Sequence, residues 1–377
     1  MSRSRALWLV PVPEIGGVAR HVLDVTERGI PGWEVVVLCP AGTLADRLRE
    51  RGVRVLTGPF GTGHGYVRSV RTLRSTIAEL SPDLVHSHLA FADVVAASVV
   101  GYLKVRAFLA GGYPTPLLAT TEHGIAPEDS TYQSRRWRGL MMRMLHGARL
   151  RVTDRKIAVC ESTRRVMISK WRATRVRVIR NGVDAGRIRK QVEERRTSKL
   201  PDPRPTFLTL SRLAEEKRLD DVIRAFALVQ KQRRDARLVI AGDGPLRDSL
   251  RGLVRGLRLE DSVEFAGFMD PVEAMAEADV LVQISAWENY SYTLLDAVAA
   301  RVSVVANDVG GNAEILPRER LLHGKMSLHG LARDMEAALS AGAVESGDLT
   351  TIDEMTAAIA DAYSSDQHRE RCGGSGV

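Results

Sequence analysis

Two cations, Arg212 and Lys217, stand in the segment Ser211-Arg212-Leu213-Ala214-Glu215-Glu216-Lys217, directly after an apolar run that reads as a strand. Two positive charges at one strand end suit a diphosphate, and an arginine can hold two of its oxygens at once. In an arginine-rich chain the same pair could equally be solvated surface. Farther on, Glu288 lies in the loop after another strand, and Asp296, eight positions later, lies about a turn and a half into the helix that follows. Between them runs Asn289-Tyr290-Ser291-Tyr292-Thr293, ending at a helix N-terminus whose free N–H groups and dipole favour an anion. Carboxylates accept hydrogen bonds from sugar hydroxyls, so one acid could hold a hexose and the other a ribose. Helix capping by Asn289 or Ser291 is the plain structural alternative. Near the start, Gly16 and Gly17 of Glu14-Ile15-Gly16-Gly17-Val18 fall between a strand and a helix. They either let a ligand approach backbone N–H groups or simply make a tight turn.

Absent motifs narrow the chemistry. No G-x-G-x-x-G follows a strand, no G-x-x-x-x-G-K-[ST] occurs, and Gly61-Thr62-Gly63-His64-Gly65 has the wrong spacing. A dehydrogenase or a P-loop kinase is therefore disfavoured. There is no Asp-x-Asp pair, so no metal site is expected.

The elements that must carry these residues alternate in short apolar strands and longer helical patterns, the signature of βαβ units in parallel sheets. In the first half the strands read as Ala6 to Val12, Glu34 to Cys39, Val53 to Thr57, Leu84 to His88, Leu117 to Thr121, Ile157 to Cys160 and Val176 to Ile179. The charged stretch Val192 to Arg204, with Pro201 and Pro203 and no apolar period, reads as a linker. Beyond it the alternation restarts at Phe207 to Leu210, Leu238 to Ala241, Val263 to Ala266, Val280 to Ile284 and Val302 to Asn307. The expected organisation is an α/β chain with one doubly wound Rossmann-like domain over 1–191, a linker over 192–204 and a second such domain over 205–345. A helix and tail over 346–377 are expected to pack back on the first domain. In such sheets ligands bind beyond the carboxyl ends of the strands, so two facing domains would enclose a cleft.

Composition agrees. At 377 residues, with 44% hydrophobic and 27% charged, the chain has material for two or three domains. Its excess of 54 basic over 46 acidic residues is local: Ser130 to Leu200 holds 21 Lys plus Arg against 5 Asp plus Glu. Within that stretch Trp137, Leu140, Met141, Met144, Leu145 and Ala148 recur at helical spacing among Arg135, Arg136, Arg138, Arg143 and Arg149. A basic amphipathic helix can lie on an anionic membrane, though the apolar stripe is expected to pack into the first domain. Cys39, Cys160 and Cys372 form no C-x-x-C pair, which suits a reducing cytoplasm, and no apolar run is long enough to cross a membrane.

Taken in order, the motifs resemble those of the GT-B glycosyltransferases, and specifically of the retaining, nucleotide-sugar-dependent glycosyltransferase family four. The resemblance spans Leu7 to about Leu316. It rests on Gly16-Gly17, Pro82-Asp83-Leu84-Val85-His86-Ser87-His88, Thr121-Glu122-His123-Gly124 and Val178-Ile179-Arg180-Asn181-Gly182-Val183-Asp184 in the first half. In the second half it rests on Arg212 with Lys217, Ala241-Gly242-Asp243-Gly244-Pro245, Glu288 with Asp296, and Val309-Gly310-Gly311-Asn312-Ala313-Glu314. It implies that Arg212 and Lys217 hold the donor diphosphate, that Glu288 lies near the transferred sugar and Asp296 on the nucleotide ribose, and that His123 faces the donor sugar from the first domain. Gly16, Gly17, Gly242, Asn289, Tyr290, Ser291, Tyr292 and Thr293 complete the implied donor site. The family pattern has a glutamate where Asp296 stands, glycines where Asn289 and Ser291 stand, and a frequent Gly and Pro where Arg301 and Ser303 stand.

By the same resemblance the reaction moves a hexosyl unit from a UDP- or GDP-sugar to a hydroxyl. It retains the anomeric configuration and uses no metal or other cofactor. The leaving phosphate helps to deprotonate the acceptor on the front face. A lipid-linked acceptor, weak association with anionic membranes and a cytoplasmic location, peripheral on the inner face of the membrane, are further expectations; nucleic acid is not an expected partner. A sugar-nucleotide epimerase of the same shape, and a non-catalytic basic binding protein or partner subunit, are the competing readings.

Overall fold

The computed structural model describes residues 3–125, 136–198, 203–324, 326–344 and 349–364, without the side chains of 136–140. Two compact units emerge. The first comprises residues up to Gly182 together with those from Ile352 onward, and the second runs from Val183 to Thr351.

The first unit alternates strand and helix: β1 (Ser4–Leu9), α1 (Gly17–Arg28), β2 (Trp33–Cys39), α2 (Thr43–Glu50), β3 (Arg54–Thr57), α3 (Tyr66–Leu80), β4 (Leu84–His88), α4 (Ala90–Leu109), β5 (Leu117–Glu122), α5 (Arg136–Val152), β6 (Arg155–Ala158), α6 (Glu161–Trp171) and β7 (Val176–Val178). Its seven parallel strands lie in the order β3-β2-β1-β4-β5-β6-β7, so the strand order reverses between β1 and β4. Strand side chains alternate between faces, and β1 shows the consequence: Ala6 and Trp8 enter one core, Leu7 and Leu9 the other.

The second unit holds α7 (Ala185–Ser198), β8 (Thr206–Leu210), α8 (Leu219–Gln232), β9 (Arg237–Ala241), α9 (Arg247–Gly256), β10 (Val263–Gly267), α10 (Pro271–Glu277), β11 (Val280–Gln283), α11 (Tyr292–Ala299), β12 (Ser303–Asn307), β13 (Leu321–Leu322) and α12 (Leu328–Ala341). Its parallel sheet runs β10-β9-β8-β11-β12-β13 and reverses between β8 and β11. A last helix, α13 (Ile352–Ser364), returns to the first unit. Met355, Ile359, Ala362 and Tyr363 enter the β1 core there, and Arg177 pairs with Asp361 at 2.7 Å.

Two expectations need correction. Most of the stretch read as a linker is helix α7, which buries Ile188 and Val192 against the second unit. Its Arg196 guanidinium donates to the carbonyls of Met275 and Ala278 at the end of α10, at 3.2 and 3.1 Å, where unpaired helix carbonyls favour a cation. Two apolar residues among so many charges gave no readable period. The apolar stripe of α5 does not pack inward either: Met141, Met144, Leu145 and Ala148 are exposed. The buried positions are His146, Arg149 and Leu150, because Arg149 lies 3.0 Å from Asp93 and is paired with Glu122, while His146 stacks on Trp171. Arg135 and the side chains of Arg136, Trp137, Arg138 and Leu140 lie outside the described residues, as does Cys372.

Candidate active site

In the second unit the loops after β8 and β11, which flank the strand-order reversal, carry the predicted residues. Lys217 closes a 3-10 turn, Glu215–Lys217, and its ammonium is paired with the Glu288 carboxylate. Ser285, just past β11, donates from its hydroxyl to the same carboxylate oxygen at 2.8 Å. Arg212 pairs with Glu216 at 2.8 Å, and its side chain is 62% exposed.

Glycines let these loops touch. Gly242, at φ +131°, lies so close to the loop after β8 that a Cβ would sit 1.9 Å from the Ser211 carbonyl oxygen. Gly310, at φ +59°, would place one 1.8 Å from the Glu288 carbonyl oxygen. The neighbouring Gly311 N–H donates to Asn289 O at 2.6 Å, and Asn307 Nδ2 donates to Ser285 O at 2.7 Å. The acid loop is thus fixed from beneath by the loop after β12.

Ser291 caps α11, accepting from Leu294 N at 3.3 Å and donating to Gln283 at 3.0 Å. Thr293 donates to Leu210 O at 3.3 Å. Tyr290 and Tyr292 are buried, as is Asp296 in the second turn of α11. The capping alternative therefore holds for Ser291, and Asn289 serves through its backbone.

In the first unit Gly16 and Gly17 precede and open α1, and a Cβ on either would meet nothing within 4 Å. Neither packing nor a positive φ demands glycine at these positions, which leaves open space beside the helix N-terminus. At the same strand-order reversal four histidines gather. His86 and His88 end β4, His123 follows β5, and His21 lies one turn along α1. His86 is fully satisfied, with Nδ1 on the Tyr363 hydroxyl and Nε2 on Thr121 Oγ1. His88 Nδ1 meets His123 Nε2 at 2.9 Å, and His21 Nδ1 meets Asn181 Oδ1 at 3.1 Å. Burial lowers all four. His21 drops to about 4 despite the Asn181 bond that raises it, and the other three fall well below the ordinary range. All four are neutral at pH 7. Beside His123, burial pushes the Glu122 carboxyl up to about 7 against the pull of Arg149.

Comparison with known proteins follows the same division of the chain. Residues 15–187 match the model of glycosyltransferase family four, and residues 190–342 match that of the glycosyl transferases group 1. The chain belongs to glycosyltransferase family four. Its relatives include the glycogen synthase of Mycobacterium tuberculosis, 29% identical over 81% of this chain and 78% of that protein. They also include the GDP-mannose-dependent alpha-mannosyltransferase of the same species, 28% identical over 82% and 80%. Among solved structures, Anabaena HepE in complex with UDP-glucose aligns with a TM-score of 0.72 at 20% identity, over 98% of this chain and 100% of that one. Sucrose-phosphate synthase from Thermosynechococcus elongatus aligns with a TM-score of 0.69 at 18% identity, over 99% and 100%. The fold is GT-B, with two Rossmann-like domains, and the family-four protein described here is a glycosyltransferase.

Of the residues read from its sequence, this glycosyltransferase brings Lys217 and Glu288 into direct contact and places Arg212, Gly242, Asn289, Tyr290, Ser291, Tyr292, Thr293 and Asp296 in the same loop cluster of the second unit. Gly16, Gly17 and His123 belong to the first unit. Three residues escaped the sequence reading. Ser285, which fixes Glu288, and His21, a single histidine on a helix, carry no motif; Arg149 reads as surface charge in the sequence but is 3% exposed.

Proposed function

We propose that this glycosyltransferase moves a hexosyl unit from a UDP- or GDP-sugar to a hydroxyl acceptor, with retention and without a divalent ion. The observation that carries the reading is the Lys217–Glu288 pair at the strand-order reversal of the second unit, with exposed Arg212 on the same loop. Cleaving the anomeric C–O bond leaves extra negative charge on the diphosphate while the sugar becomes oxocarbenium-like. Lys217 and Arg212 are fixed cations for that charge, and the N–H groups opening α11 add the positive end of a helix dipole. An arriving diphosphate offers Lys217 denser negative charge than one carboxylate does. Glu288, still held by Ser285, is then freed to accept from a sugar hydroxyl. A relative named for GDP-mannose and a fold neighbour holding UDP-glucose support a nucleotide sugar as donor.

The test is donor turnover. Lys217→Ala and Arg212→Ala should each lower it at least tenfold while leaving the fold intact, since losing one preorganised donor typically costs about 2.7 to 4 kcal/mol of barrier. Activity should survive EDTA, and the product's anomeric proton coupling should match the donor's. Near-normal turnover in both variants refutes the diphosphate assignment; an inverted product refutes retention.

The acceptor is proposed to be lipid-linked or membrane-borne, with the protein cytoplasmic and peripheral on the inner face of the membrane. Support comes from α5, where Met141 and Met144 are 53% and 67% exposed beside exposed Arg143, as suits an interfacial helix. No described helix is long and apolar enough to cross a membrane. Basic residues near an anionic leaflet contribute about 1 kcal/mol each, so replacing Arg135, Arg136, Arg138 and Arg143 by glutamine should abolish low-salt sedimentation with anionic vesicles. Unchanged sedimentation would refute the membrane reading.

A further inference from the structure

The histidine cluster of the first unit contains a feature that sugar transfer does not require. His86 spends both ring nitrogens on hydroxyls and is a satisfied core residue. His21 and His88 are buried at 2% and 0% exposure, yet each leaves its Nε2 without a hydrogen-bond partner. Two orphaned imidazole nitrogens in one cluster are unusual, because buried polar atoms are nearly always paired.

The tautomer of His21 follows from its neighbour. Asn181 Oδ1 only accepts, so His21 Nδ1 carries the proton and Nε2 holds a free lone pair. His88 Nδ1 and His123 Nε2 share one hydrogen at 2.9 Å, so one of these two nitrogens is also a bare lone pair. One ring nitrogen from each of His21, His88 and His123 lies within 4.8 Å of the other two. We propose that His21, His88 and His123 form a binding site for a divalent transition-metal ion of the zinc, copper or nickel type.

The chemistry of the donor set selects the ion. Three neutral imidazoles with no carboxylate among them suit borderline cations and offer nothing to magnesium or calcium, which take oxygen ligands. Zinc–nitrogen bonds of about 2.05 Å set tetrahedral nitrogens about 3.4 Å apart, so capture draws the widest pair together by at most about 1.4 Å, within the reach of broad histidine χ2 rotation. Asn181 plays the part of the outer partner that orients a metal-ligating histidine through its other nitrogen. Binding balances without proton release: three neutral rings hold three protons on six nitrogens, and three nitrogens remain to carry them once the others ligate.

The ion is not a catalyst of transfer. Resting on the role near the donor sugar that the family resemblance implies for His123, metal capture ties up that residue's Nε2 and makes zinc a reversible inhibitor, relieved by a chelator.

The experiment is calorimetric titration of the full-length protein, freed of metal, with Zn2+, Mg2+ and Ca2+, followed by Cu2+ quenching of tryptophan fluorescence. Trp8 is the internal reporter, since its ring centroid lies 4.5 Å from that of His88. Expected are one Zn2+ equivalent per chain with no Mg2+ or Ca2+ response, and affinity at least about tenfold weaker in His21→Gln, His88→Gln and Asn181→Ala. Unchanged Zn2+ affinity in variants with parental circular dichroism, or no Zn2+ binding by the parent, overturns the site. Should a variant fail to fold, the parent's quenching decides. Loss of the Cu2+ response in folded Trp8→Phe supports a site beside Trp8, and an undiminished response rejects it. Because binding is read without turnover, a protein that captures zinc but, when freed of metal, transfers no sugar from any UDP- or GDP-hexose would refute the donor reading and leave the metal site standing.

Discussion

Replacing Gly310 by alanine probes the acid loop without touching a charged residue. The added Cβ would lie 1.8 Å from the Glu288 carbonyl oxygen and 2.5 Å from its carbon, where real Cβ contacts stay beyond 3.0 Å. Both are backbone atoms, so no side-chain rotation relieves the clash, and the two loops must part by more than about 1 Å. That separation breaks the Gly311-to-Asn289 hydrogen bond, at a net cost of about 1 kcal/mol, and alanine at φ +59° adds about another. The expected destabilisation is therefore about 2 kcal/mol or more. Glu288 rides on the displaced loop, and a misplacement of about 1 Å can lower catalysis about a hundredfold. Thermal unfolding and kcat/KM for sugar transfer are the paired measurements, with Gly252→Ala as control, since a Cβ there, on α9, meets nothing within 4 Å. The control should be unaffected or stabilised by about 0.5 to 1 kcal/mol. Parental activity and melting temperature in Gly310→Ala would refute the account of how the loop is held.

Glu288→Gln should chiefly lower turnover and Asp296→Ala chiefly weaken nucleotide affinity, checked by calorimetry beside initial rates; the opposite pattern reverses their roles. Arg301 occupies the left-handed region at φ +55°, where the family pattern has a glycine, so Arg301→Gly should raise stability by about 0.5 to 1 kcal/mol in urea unfolding. Acid should destabilise the first unit. His21 falls to about 4 in the folded protein against an ordinary 6.5, so its contribution is complete above about pH 6.5 and is lost as the pH falls toward 4. The loss is about 3 kcal/mol, and His21→Asn should show a shallower decline between pH 7.5 and 4.5. Equal slopes for the two proteins would refute the buried neutral histidine.

The strands were legible because parallel sheets buried on both faces demand short β-branched and aliphatic runs such as Val35-Val36-Val37-Leu38, and those runs stand out against charge. The loop cluster of the second unit was legible for a related reason: its residues follow strands in unbroken order. What stayed hidden depends on partners distant in sequence. Arg149 looks like any surface arginine until Asp93 and Glu122 meet it from two other elements. The stripe on α5 misled because helical period reveals an apolar face without saying what covers it. Helix α7 hid for the opposite reason: its anchor is an arginine on carbonyl groups, invisible to any hydrophobic pattern.

The return of α13 to the first unit orders events during synthesis. Residues 183–351 leave the ribosome after most of the first unit and before the helix that completes it. At typical elongation rates that interval lasts roughly 10 to 30 s. Throughout it, the surface that Met355, Ile359 and Tyr363 will cover is bare, and the Trp8 indole and His86 lack the tyrosine hydroxyl that both will bind. The second unit, contiguous in sequence, can fold on emergence, whereas the first must wait with part of its core uncovered. Nascent chains stalled before Ile352 should therefore engage chaperones through their earliest strands, and a lesion in α13 is felt at the opposite end of the sequence, in β1.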